Sequence, residues 1–210
     1  IKLFYNKPII NYVINSAVYS KLFHTIHVST NSKKIREIVQ KNKINVDFLR
    51  PNYLSKNSVP LYKVINYVLS RFEKQKVFFD EVWLIYSTAV LIDHKDLKKA
   101  SVIFKKQYIK NIISVTKYPA PIEWAFELKN KILKPVFQNK ILKDSKSFKT
   151  KYFENASFVA YKINKNKNYI EDFNNFYPFE IPLWKAIDID DIDDWNTAKK
   201  LYLLKKTKKV

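Results

Sequence analysis

Five of the chain's 19 acidic residues fall within seven positions, in Asp188-Ile189-Asp190-Asp191-Ile192-Asp193-Asp194. If that run is extended, Asp188 and Asp190 point the same way, because strand side chains alternate with period two. Two carboxylates on one side make a hard, oxygen-rich site. Such a site suits Mg²⁺ carrying a nucleoside triphosphate. Asp191, Asp193 and Asp194 have a simpler reading. They precede or open the last helix, where negative charge complements the dipole and aspartate caps free N–H groups. Capping and solvation would explain the whole run too, and these residues alone leave both readings open.

Two further segments could meet a ligand. The buried-looking run Leu84-Ile85-Tyr86 ends in Ser87-Thr88-Ala89, and Ser29-Thr30-Asn31 ends an earlier run in the same manner. Ligands of open α/β sheets sit at the carboxyl ends of strands. Simple turn and cap roles are the commoner use of such hydroxyls. The three histidines, His24, His27 and His94, lack metal-like spacing and read as structural or surface residues. No serine sits in a glycine-bounded elbow, so a Ser/His/Asp nucleophile has no support.

Composition narrows the chemistry. The 210 residues carry 39 Lys+Arg against 19 Asp+Glu, a formal charge of +20, with no cysteine and no glycine. An average chain of this length would hold roughly fifteen glycines. Without cysteine there is no disulfide framework and no thiolate chemistry. Without glycine the residues present form neither a GxGxxG nor a Walker A loop. The charge excess is lysine, with Arg36, Arg50 and Arg71 as the only arginines. A lysine-, asparagine- and isoleucine-rich chain is what an AT-rich genome writes, and nucleic-acid binders cluster arginine instead. Nucleic acid is therefore not the expected partner, although the field would attract an anionic nucleotide or sugar acid. No apolar run approaches the roughly 20 residues that span a bilayer. No signal-peptide pattern is present either, so the expected location is the cytoplasm.

Periodicity supplies the frame that must hold these residues. Helices are expected over Pro8–Ser20, Ser32–Lys41 with Ser32 as N-cap, Pro60–Lys74, Lys95–Gln107 and Trp195–Leu204. Strands are expected at Thr25–Ser29, Val46–Leu49, Val82–Tyr86, Asn111–Thr116 and Phe158–Ile163. The order strand–helix–strand, repeated, argues for an α/β fold with a mostly parallel sheet between helices. Trp124–Leu128 and Ile132–Val136 flank the polar turn Lys129-Asn130-Lys131 and read as an inserted hairpin. Lys140–Lys151 reads as a mobile basic loop, and Lys205–Lys209 as a frayed tail. One domain, residues 1–210, is expected.

Taken in order, seven segments resemble the acylneuraminate cytidylyltransferase family, the CMP–sialic, pseudaminic and legionaminic acid synthetases. Asn6-Lys7-Pro8-Ile9-Ile10-Asn11-Tyr12 resembles G-K-P-L-I-x-Y. Val28-Ser29-Thr30-Asn31-Ser32 with Ile35 resembles V-S-T-D-D-x-x-I. Phe48-Leu49-Arg50-Pro51 with Leu54 resembles F-x-R-P-x-x-L. Tyr86-Ser87-Thr88-Ala89 resembles part of the loop P-T-S-P-x-x-R. Ser114-Val115-Thr116 with Pro119 and Pro121, and Tyr152-Phe153-Glu154-Asn155-Ala156, resemble S-V-T-x-x-x-x-P and Y-x-E-N-G. Asp188-Ile189-Asp190 with Asp194-Trp195 resembles D-I-D-T-x-E-D-W.

The resemblance implies a Rossmann-like nucleotidyltransferase that transfers CMP from CTP to a nonulosonic sugar acid and needs Mg²⁺. It places Asp188 and Asp190 as catalytic metal ligands. Ser29, Thr30, Arg50 and Thr88 fall on the nucleotide, and Ser87, Tyr152, Glu154 and Asn155 on the sugar. It also implies a homodimer, with residues 124–151 as the contact insert. A second reading is a non-catalytic Rossmann-like binding module that uses its basic surface for nucleic acid or an acidic partner.

Departures from the pattern carry their own expectations. The family opens with a strand and a glycine-rich phosphate loop, and Ile1 falls just after both. The domain is thus expected to be N-terminally truncated, and not to turn over CTP without that segment. Val90 and Asp93 replace a proline and an arginine of the loop, and Lys56 and Asn57 stand in an otherwise acidic stretch. Ala156 stands where relatives have glycine, and would be strained if the backbone there needs φ > 0.

Overall fold

The computed structural model describes residues 2–44, 46–164, 169–170 and 174–207. A two-residue ladder, β1 (Leu3–Phe4) with β2 (Lys7–Pro8), leads into α1 (Ile9–Ser20). Val13, Ile14 and Ala17 give α1 one buried stripe. Lys21 ends it in the left-handed conformation, donating its N–H to the Val18 carbonyl. Then follow α2 (Lys33–Gln40), α3 (Leu61–Glu73), β3 (Glu81–Ile85), α4 (His94–Phe104) and β4 (Asn111–Lys117). Ser32 caps α2 as expected, its hydroxyl accepting from the Ile35 N–H. After β5 (Phe126–Lys129), β6 (Ile132–Pro135), β7 (Tyr152–Lys162) and β8 (Tyr177–Glu180), α5 (Ile192–Thr207) closes the described chain.

The central sheet has the order β3-β7-β4-β8. β7 runs antiparallel to both β3 and β4, while β4 and β8 pair in parallel. Three of the four strands therefore share one direction, with β7 inserted against it. The sheet is mixed within an α/β architecture, and β7 is longer than the expected Phe158–Ile163. Phe158 and Ala160 of β7 and Ile112 of β4 are fully buried beside Leu97 and Phe104 of α4. Across the sheet, Val159 and Tyr161 pack with Ile65 and Leu69 of α3. The alternation of β7 thus feeds two helix layers, as a doubly covered sheet requires.

Three expectations change. Thr25–Ser29 and Val46–Leu49 are extended but join no ladder, because a groove separates the first of them from β3. The two segments meet through a hydrogen bond from the Arg50 N–H to the Thr30 carbonyl and a stack of His27 on Phe48. Residues 205–207 continue α5 rather than fraying, since Lys205 reaches the Leu91 carbonyl and Asp93. Asp93 is spent structurally. It caps α4 in a capping box with Asp96 and pairs with Lys205 at 2.8 Å. Burial raises its pKa, but the Lys205 hydrogen bond and charge outweigh that and bring it down to about 2.

The expected hairpin forms. Asn130 and Lys131 both take φ > 0, as a tight two-residue turn demands. Residues 140–151 carry one turn of 3₁₀ helix at Ser145–Ser147.

Candidate active site

The acidic run is built by alternation. Ile187 and Ile189 pack into the cluster of Phe4, Leu91 and Trp195, which leaves Asp188 and Asp190 exposed on the other side. The rest of the run caps α5. Asp191 accepts the N–H groups of Asp193 and Asp194, at 2.8 and 2.9 Å. Asp194 reaches back to the N–H groups of Asp190 and Asp191. The capping reading therefore holds for Asp191 and Asp194, while Asp188 and Asp190 stand outside the cap with their side chains exposed. The cap also ties down the backbone of Asp190 while its carboxylate stays outward.

A third carboxylate lies near enough for its charge to act on Asp188. Glu154 stands exposed on β7 and accepts a hydrogen bond from the Tyr86 hydroxyl at 2.7 Å. Partial burial raises the Asp188 pKa, and the charges of Asp190, Asp194 and Glu154 add to the rise. Burial and the Glu154 bond likewise push the Tyr86 phenol far above its ordinary value. A carboxylate whose charge is disfavoured by burial and by neighbouring carboxylates, as at Asp188, is relieved by a divalent cation. Among the described residues no group of three or more His, Cys, Asp or Glu is arranged to hold a metal. A pair is enough where phosphate oxygens complete the shell, which is how Mg²⁺ is commonly held.

Glu154 owes its place to an irregular β7. Val115 pairs with Glu154, but Ile113 pairs with Val159, so β7 bulges between them. Ala156 lies in that bulge at φ 48°. The strain expected at this position is present, a cost of about 1–2 kcal/mol for a residue with a Cβ. Ser114 spans the bulge, its buried hydroxyl 2.9 Å from both the Phe158 N–H and carbonyl. Asn155 turns inward, and its Nδ2 donates to Thr116 Oγ1. It is buried, whereas Glu154 and Tyr152 are exposed on the same strand.

The expected nucleotide residues gather elsewhere. Ser29, Thr30 and Arg50 line the groove beside β3, together with Ser87 and Tyr86. Arg50 Nε is held by Ser55 Oγ at 3.1 Å. Thr88 belongs to the turn after β3, where its carbonyl accepts the Val90 N–H. Tyr86 touches both halves: it lines the groove and holds Glu154. It was absent from the expected site, although its position at the carboxyl end of an apolar run marked it. A smaller cavity of about 280 Å³ opens beside Tyr86 and Glu154, walled by Tyr62, Tyr161 and Phe176.

Comparison with known proteins fits this layout. The sequence profile of the cytidylyltransferase family matches residues 1–206. A pseudaminic acid cytidylyltransferase of Campylobacter jejuni is 29% identical over 203 residues, covering 95% of this chain and 87% of the relative. A CMP-N,N'-diacetyllegionaminic acid synthase of Legionella pneumophila is 26% identical over 207 residues, with 95% and 87% covered. A CMP:2-keto-3-deoxy-manno-octonic acid synthetase solved with CTP superposes with a TM-score of 0.61, at 13% identity, over 96% of this chain and 88% of its own. That likeness establishes the Rossmann-like nucleotidyltransferase fold.

Proposed function

The chain belongs to the cytidylyltransferase family, and from that premise we propose that it transfers CMP from CTP to a nonulosonic sugar acid. The observation that carries this is the outward pair Asp188 and Asp190, with Glu154 acting on Asp188 and held by Tyr86 just beyond the carboxyl end of β3. Enzymes of this family generally use a divalent metal ion. Here Mg²⁺ is the fitting ion, held by Asp188 and Asp190 with phosphate oxygens of CTP. When bound, it would neutralise charge on the phosphates as pyrophosphate leaves.

The chain's own residues do the positioning. A sugar hydroxyl forms a bond to the α-phosphorus as the bond to pyrophosphate breaks, so no enzyme nucleophile is needed. Ser29, Thr30 and Arg50 present hydroxyl and cationic groups to the nucleotide side. Tyr86 fixes Glu154 at the sugar side, next to the aromatic cavity. The excess of +20 draws both anionic substrates inward. Pseudaminic and legionaminic acids are the sugars to try first, because relatives bear their names.

The test is pyrophosphate release by the full gene product, with CTP, Mg²⁺ and each sugar acid in turn. Release that needs all three, and that vanishes in Asp190→Ala, supports the reading. Release that is indifferent to Asp190 would sink it.

The hairpin β5–β6 suggests a homodimer. Leu128, Ile132 and Leu133 are each more than half exposed there, with Phe126 close behind. Apolar side chains gathered on one projecting ribbon are the mark of a protein contact.

A further inference from the structure

Asp188 and Asp190 lie on segment 186–190, which joins no ladder. Among the described residues, Ile187, Asp188 and Ile189 make no backbone–backbone hydrogen bond. The segment is therefore placed by its side chains and its two ends. Ile187 and Ile189 pack into the cluster that holds Val90 and Leu91. Downstream, Asp194 accepts the Asp190 N–H. Upstream, a single 3₁₀ turn, Leu183–Lys185, leads in. Lys185 anchors that end. Its Nζ donates to both carboxylate oxygens of Asp96, at 2.8 and 2.7 Å, and the two side chains are only 13% and 15% exposed. By contrast, Lys117–Glu180 and Lys129–Glu127 are about half exposed, and such pairs hold little. A sheltered pair is costly to break, because the partner left behind is an unpaired charge out of water.

Asp96 has a second task in the capping box of α4, where it accepts the Asp93 N–H at 3.0 Å. Asp93 in turn accepts the N–H groups of Lys95 and Asp96. It also pairs with Lys205, which donates to the Leu91 carbonyl at 2.7 Å. Leu91 belongs to the loop between β3 and α4 that carries Thr88. A chain of charge-assisted bonds, Lys185–Asp96–Asp93–Lys205, thus runs from the upstream end of the carboxylate segment to the Thr88 loop. Such bonds are short and directional, and they fix relative position better than apolar contact does.

We propose that Lys185 is a positioning residue: paired with Asp96, it holds Asp188 and Asp190 in register with the Thr88 loop, so that one divalent ion meets both the carboxylates and CTP. This rests on the reading of Asp188 and Asp190 as metal ligands. An ion shared between protein carboxylates and nucleotide phosphates demands a fixed separation between the two. Groups that orient metal ligands from behind set affinity almost as strongly as the ligands do. Lys185 works in this way, through the backbone of Ala186 and Ile187. Its own charge is engaged by Asp96 and sheltered there, which leaves it poorly placed to serve as a phosphate contact.

The test is Mn²⁺ binding by the full gene product, with CTP present and no sugar acid, read from the electron paramagnetic resonance of the free ion. No turnover is involved. Lys185→Met keeps the apolar stem and removes the charge. Asp96→Asn keeps an oxygen for the Asp93 N–H and removes the charge. Each should raise the Kd for Mn²⁺ by about tenfold or more, while the KM for the sugar acid in the pyrophosphate assay stays put. The double variant should lose no more than either single one, because the same pair is broken in all three. Lys185→Arg, whose fork can still grip Asp96, should bind Mn²⁺ as the parent does. Unchanged Mn²⁺ affinity in both single variants, held well below their melting temperatures, would leave the pair a purely structural role and overturn the proposal. Additive losses would overturn it too. So would weaker metal-free binding of CTP confined to Lys185→Met, which makes the lysine a phosphate contact. Asp190→Ala separates the two levels of the argument. If it leaves Mn²⁺ binding unchanged, the carboxylate reading itself fails and takes this one with it. If it weakens binding while Lys185→Met does not, only the role of Lys185 falls.

Discussion

The two halves of the site are held by different means. The carboxylate half rests on closed hydrogen-bond systems. β7 carries Glu154 and is laddered on both sides, and the Asp191/Asp194 cap anchors the backbone of Asp190. The half proposed for the nucleotide rests on side-chain packing. Among the described residues, segment 25–30 is tied to its neighbour by one backbone hydrogen bond, and it faces an apolar groove on its other side. Backbone pairing fixes an atom's place far more sharply than packing does, because it is directional. The carboxylates proposed for the metal and the sugar are therefore the more firmly positioned, and the residues proposed for the nucleotide the less so.

Substitutions can widen or close that difference. The largest effect is expected at Asp190. Asp190→Ala should lower metal-dependent turnover of the full gene product by about a hundredfold or more, with thermal stability unchanged, because its carboxylate faces solvent. Thr30→Ala, on the packed half, should raise KM for CTP by only about tenfold, the worth of one hydrogen bond. Equal losses at both positions would erase the contrast.

A second comparison lies in the frame. Asp93 ties the start of α4 to the end of α5, on the carboxylate side. Its folded pKa of about 2 lies below the ~3.9 of an unfolded aspartate. The folded state therefore binds the proton less readily. The stabilisation is full above about pH 4 and is lost as pH falls toward 2, by about 2 kcal/mol in all. Chemical denaturation between pH 5 and 2 should show this slope, and Asp93→Asn should flatten it.

Smaller effects separate strain from slack. Ala156→Gly should stabilise the chain by about 1 kcal/mol, because φ 48° costs glycine nothing. A stabilisation that also loosens Glu154, seen as a lower kcat, would show that the strained bulge helps to hold the site. Ser29→Ala should raise stability by about 1 kcal/mol, since the buried hydroxyl it removes has no partner among the described residues. For the proposed homodimer, the paired substitution Leu128→Lys with Ile132→Lys should leave both halves intact and give a monomer in sedimentation where the unsubstituted chain sediments as a dimer.

Much of the frame was legible in the residues. The five helices fall where period 3.6 put them, and β3 and β4 where continuous apolar runs stood. The hydroxyl residues that follow β3 and end segment 25–29, Ser87 with Ser29 and Thr30, line one groove. β8 carried no such signal, because four residues with Pro178 among them look like a loop until β4 pairs with them. Asn155 and Glu154 shared one motif, yet the bulge sends one inward and the other to the surface. Tyr86 looked like the last apolar residue of a strand, and only the register with β7 sets its hydroxyl against Glu154.

By itself the sequence determined which residues can alternate, cap and carry charge. That is why Asp188 and Asp190 stand apart from Asp191 and Asp194, and why a chain without glycine must place other residues, Ala156 among them, at positive φ. The tertiary structure decided which of these groups meet. Pairing register, the insertion of β7 against the sheet's direction, and the groove beside β3 are set by hydrogen bonds between segments far apart in the chain, and no local pattern of residue types encodes the partner at the other end.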